Sequence, residues 1–90
     1  VGNPAMPPAG TAREPLDPLP AAALESVAVA GRLGARALTG PAATESVVRA
    51  RLPRARVVHL ATHGLVFSAD SLVRASFVAL APDRANDGRL

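Results

Sequence analysis

The chain contains no cysteine, lysine, isoleucine, tryptophan or tyrosine, and its only aromatic residues are Phe67 and Phe77. Without cysteine, neither a disulfide framework nor a thiolate metal site can form within these residues, and the most reactive protein nucleophile is missing. With so few aromatics, a core must be built from Leu, Val and Ala, which bury little area each. No apolar run approaches the roughly 20 residues a membrane-spanning helix needs, and the start lacks the basic-then-apolar layout of a signal peptide. A cytoplasmic protein without membrane contact is therefore expected.

The ten basic residues are all arginine, against seven acids, for a net charge of +3. The isoelectric point near 11.4 owes more to missing lysine, tyrosine and cysteine than to excess positive charge. The one basic cluster, Arg49, Arg51, Arg54 and Arg56, straddles a turn and is read as a solvated helix end and loop, so no nucleic-acid partner is expected. The Ala, Arg, Gly and Pro bias reflects codon usage and carries no chemistry.

Ninety residues suit one small domain or part of a larger one. Six of the nine prolines fall within the first twenty residues, which makes 5–18 a Pro-rich loop following the stub of a first strand. Pro20 suits the first turn of a helix whose core face is predicted at Leu24, Val27, Ala28 and Gly31, with Gly34 as its left-handed stop. A strand-like piece, Arg36 to Leu38, comes next. Thr44 can cap a second helix, with Glu45 near its positive end, Val47, Val48 and Leu52 toward the core, and Pro53 as terminator. Val57 to Ala61 reads as a strand buried on both faces of a parallel sheet, and Ser76 to Leu80 as a further strand. Strands alternating with helices give an α/β layered fold, in which ligands collect beyond the carboxyl ends of the strands.

His63 stands at such an end, followed by Gly64. On a strand, His59 and His63 lie ~13 Å apart, too far for both to reach one ion, and a helical zinc motif would need a glutamate where Leu60 stands. No metal is expected. His59 reads as a strand histidine satisfied by a neighbour. His63 either handles protons in catalysis or merely caps a strand edge. Thr39, Thr62, Ser68, Ser71 and Ser76 are available hydroxyls, but none lies in a nucleophile-elbow pattern. Leu65 to Ala75 reads as a mobile loop over the site, with Ser68, Asp70 and Ser71 as possible substrate contacts.

The segments LPAAALESVAVAGRLG, LTGPAATESVVRARLP, ARVVHLATHG, SFVALAP and NDGRL, in that order, resemble the CHAT family, caspase-like domains often found beside tetratricopeptide repeats in bacteria. The most specific part is an apolar strand running into HLATHG and followed downstream by Asp87, Gly88 and Leu90. The resemblance implies a partial caspase-like three-layer fold, a mostly parallel sheet flanked by helices, with 1–90 as the amino-terminal part of one domain. It implies cysteine peptidase chemistry on a protein or peptide substrate without a cofactor, His63 as the catalytic histidine and Gly64 as the oxyanion donor. Glu25 and Thr44 then match helix positions, and Asp87, Gly88 and Leu90 a turn. It also implies a tetratricopeptide-repeat region in the parent protein. The family's cysteine would follow Leu90, so the ninety residues alone are expected to lack activity. The alternatives are a non-catalytic interaction scaffold and a truncated product.

Overall fold

The computed structural model describes residues 1–6, 16–65 and 76–90. Strand β1 (Gly2–Pro4) is central to a parallel sheet. Its backbone donors alternate between two neighbours, as the period of two along a strand requires. Gly2 N donates to Leu38 O (2.9 Å) and Ala5 N to Gly40 O (2.9 Å), tying β1 to β2 (Thr39–Gly40). Val1 N donates to His59 O (2.8 Å), Ala61 N to Val1 O (2.9 Å) and Asn3 N to Ala61 O (3.1 Å), tying the other edge to residues 59–61. Pro4 has no N–H to offer, and the ladder with β2 shifts register between Gly2 and Pro4.

Helix α1 spans Pro20–Arg32, with proline in its first turn as predicted. Asn3, at φ +47°, adopts the left-handed conformation that asparagine tolerates, and its Oδ1 accepts from Leu19 N at 2.7 Å, fixing where the helix starts. At the far end Ala35 N donates to Ala30 O (2.8 Å) and Gly34 N to Gly31 O (3.3 Å), with Gly34 at φ +65°. This is a Schellman stop on the expected glycine.

The buried face of α1 differs from the one its large residues suggest. Leu24 is 75% exposed and Val27 57%, whereas Ser26 is 2% exposed. The cause is Gly2: a Cβ there would overlap Ser26 Oγ and the Ala22 carbonyl oxygen, so the helix lies against the β1 backbone on its small residues. Ser26 Oγ satisfies itself by donating to Ala23 O (3.0 Å). Close approach selects small side chains, and the leucine and valine turn outward.

Two strand expectations also shift. The pairing residues of the second strand are Thr39–Gly40, just past Arg36 to Leu38, because the helix exit occupies Gly34 and Ala35 and the ladder begins at the Leu38 carbonyl. The segment Val57 to Ala61 is not buried on both faces: Val57 is 64% exposed and Val58 50%. Among the described residues its backbone pairs with β1 alone, through 59–61, while α1 packs across β1 and β2.

Helix α2 (Glu45–Arg51) carries the expected cap, Thr44 Oγ1 accepting from Val47 N at 3.3 Å, and passes into a 3₁₀ turn over Leu52–Arg54 that accommodates Pro53. Strands β3 (Gly64–Leu65) and β4 (Phe77–Val78) pair antiparallel. Beyond β4 the chain meets two further segments: Leu80 N donates to Gly88 O (2.7 Å) and Ala81 N to Ala43 O (2.9 Å). Ala43, Val48, Ala79, Leu80 and Ala81 form the buried core here, built from small aliphatics as the composition requires. Buried Glu45 closes it, with Oε1 2.7 Å from Arg49 Nε and Oε2 accepting from Gly88 N at 3.0 Å. The proposed loop over 5–18 lies partly, at 7–15, outside the described residues, as do the loop residues 66–75 with Ser68, Asp70 and Ser71.

Asp83 supplies α2 with a second cap from outside the helix. Its Oδ2 accepts from Ser46 N (3.0 Å) and its Oδ1 from Ala85 N (2.9 Å) and Asn86 N (3.0 Å). Hydrogen bonding by Ser46, through its hydroxyl and then its backbone, holds this carboxyl well below the usual carboxylate range.

Two predictions follow from these contacts. Gly2→Ala should lower stability by about 1–3 kcal/mol, as overpacking does. Gly31→Ala, where a Cβ meets nothing within 4 Å, should raise it by roughly 0.5–1 kcal/mol. Urea midpoints decide, and equal midpoints for the two variants would refute the close-approach account. For Asp83, the depressed native value means its contribution is intact above the unfolded carboxylate value of about 3.9 and is lost as pH falls through the lower native one. Melting temperature should therefore fall less steeply below about pH 4 in Asp83→Asn than in the parent; parallel curves would contradict this.

Candidate functional site

The site grows from the end of the 59–61 segment. Thr62 Oγ1 donates to Ala79 O (2.7 Å), and Ala79 N donates to His63 O (2.8 Å). These bonds clasp residues 62–63 onto a fully buried alanine of the β4 segment, so the base of His63 rests on the core. Thr62, weighed in the sequence only as a hydroxyl nucleophile, spends its proton on this clasp.

The half-buried His63 ring reaches back to the approach to α1, where Nε2 lies 2.8 Å from Asp17 O. A carbonyl oxygen only accepts, so Nε2 carries the hydrogen and Nδ1 is left as the basic nitrogen of the neutral ring. Pro18 biases Asp17 away from helical backbone geometry, and Pro20, three residues on, has no N–H with which to close a turn onto that carbonyl. Composition could not reveal this partner, because any residue supplies a carbonyl. The signal available was the spacing of prolines in DPLP.

Gly64 is exposed, and a Cβ there would meet nothing within 4 Å. It stands opposite Val78. Since Ala79 N bonds to His63 O and Val78 N bonds to Leu90 O, Gly64 and Val78 form a non-hydrogen-bonded pair, which turns the Gly64 N–H away from β4. One short stretch thus presents a ring nitrogen and, beside it, a backbone donor free of the β3–β4 ladder.

His59 has a separate environment. Its Nε2 lies 2.9 Å from Glu25 Oε1 of α1, at ion-pair distance but without hydrogen-bond alignment. The two histidines thus face different partners, and among the described residues no group of three or more His, Cys, Asp or Glu is placed to hold a metal ion. Thr39 lies in β2 and Ser76 just before β4. No helix among the described residues is long and apolar enough to cross a membrane.

The family model for the CHAT domain matches residues 1–90. No curated protein and no solved structure matches the chain.

The Nε2–Asp17 contact generates a direct test. Nitrogen-15 NMR of the neutral imidazole should find His63 as the Nε2–H tautomer; a dominant Nδ1–H form would contradict the arrangement.

Proposed function

The chain belongs to the caspase-like CHAT-domain family, and from that membership we propose that it supplies the proton-handling half of a cysteine peptidase site acting on a protein or peptide. The observation that carries this reading is the 2.8 Å contact between His63 Nε2 and Asp17 O. Engaged there, the ring is held by a group that cannot take its proton, and Nδ1 is left to work.

In the proposed reaction His63 Nδ1 accepts the proton of a thiol, whose sulfur attacks the peptide carbonyl carbon. The carbonyl electron pair moves onto oxygen, and the Gly64 N–H donates to the oxyanion. As the tetrahedral species collapses, the imidazolium returns its proton to the departing amine, leaving a thioester. Water, deprotonated by the same nitrogen, hydrolyses the thioester and regenerates the thiol. The Asp17 carbonyl keeps the ring oriented throughout, because it accepts from Nε2–H whether or not Nδ1 carries a proton. The thiol itself comes from outside these ninety residues, which contain no cysteine. A tetratricopeptide-repeat region in the parent protein would be the natural place for control.

The test uses the full natural protein with its thiol. His63→Ala should reduce cleavage of a peptide substrate by on the order of 10²–10⁴-fold, the usual worth of a general acid–base group, while the protein stays folded by circular dichroism. Undiminished turnover would overturn the assignment. A parent protein with no thiol available to His63 would establish the non-catalytic scaffold instead.

A further inference from the structure

Away from His63, a cavity of about 230 Å³ opens between the residues preceding β2, the carboxyl end of α2 and the segment 57–60. Buried Val48, half-buried Leu38 and Leu52, and partly exposed Val58 make its apolar lining, and the exposed Arg36 and Arg51 also border it. We propose that this cavity is a docking pocket for a short acidic peptide segment, which inserts one aliphatic side chain while its carboxylates engage Arg36 and Arg51.

Size, charge and shape each narrow the occupant. Small-molecule sites usually run roughly 300–1,000 Å³, so this cavity is matched to a side chain rather than a cofactor. Arg49 is tied to Glu45 and Arg89 lies beside Asp87, but among the described residues neither Arg36 nor Arg51 has an ion-pair partner, and no carboxylate lines the cavity. Exposed Arg54 and Arg56 continue the positive field past the 3₁₀ turn. Two unpaired guanidinium groups present planar donor forks that fit carboxylates. The apolar lining offers the anchor on which peptide recognition concentrates. Single-stranded nucleic acid would also suit the charge, but its bases stack best on large aromatic side chains, and no Phe, Tyr or Trp lines this cavity, whose one ring, His59, faces Glu25.

The experiment is fluorescence anisotropy on the full natural protein with a fluorescein-labelled peptide of four glutamates flanking one leucine. Saturable binding is expected, weakened about tenfold by the Arg36→Glu, Arg51→Glu pair and comparably by replacing the central leucine with serine. Circular dichroism checks the fold of the double variant; should it fail to fold, the Arg36→Gln, Arg51→Gln pair makes the same comparison. Absence of saturation up to millimolar protein, indifference to the arginine changes, or equal binding of the serine peptide would each overturn the proposal. So would stronger binding of a uridine decamer through the same arginines, which would make the surface a nucleic-acid site.

Discussion

A missing side chain organises this molecule. Gly2 lets α1 lie directly on the β1 backbone, and any Cβ at that position would collide with Ser26 and the Ala22 carbonyl. From that contact the rest is built outward. β1 uses alternate backbone groups to hold β2 on one side and residues 59–61 on the other, and Asn3 reaches from the same strand to the start of α1. The 59–61 segment hands His63 to its position, while the approach to the helix carries the Asp17 carbonyl to the His63 ring. Both parts of that contact trace back to the packing of one strand on one helix.

The site also depends on a second mass of structure. Ala79, buried in the core shared with α2, receives Thr62 and His63 through two hydrogen bonds. The core is held in turn by Glu45, whose carboxylate joins Arg49 to the Gly88 amide, and by Asp83, which reaches the first turn of α2. His63 is thus a hinge point between two packing units, fixed to one through its backbone and to the other through its ring. Such double fixation is how a scaffold holds a side chain ready without a dedicated network of polar residues.

Local chemistry made much of this legible from sequence. Thr44 and Pro20 mark helix starts, and Gly34 a helix stop, because each acts through its own backbone or nearest neighbours. His63 and Gly64 stood out because a histidine and a glycine at a strand end are unusual, and HLATHG pointed to a family that matches the whole chain. The face of α1 was not legible. Periodicity ranks large apolar residues as buried, and nothing local to α1 says that a glycine eighteen residues before its start demands small ones. The exposure of Val57 and Val58 escaped for a related reason: an apolar run announces a strand, but what covers it depends on where the helices fall. The Asp17 partner of His63 is a backbone atom, and side-chain patterns do not encode it.

The clasp between Asn3 Oδ1 and Leu19 N joins residues 16 apart in sequence. Leu19 is thereby anchored to β1, and Asp17, two residues earlier, brings its carbonyl to the His63 ring from beside that anchor. One hydrogen bond to a strand asparagine thus sets both where the helix begins and, two residues upstream, where the imidazole finds its acceptor.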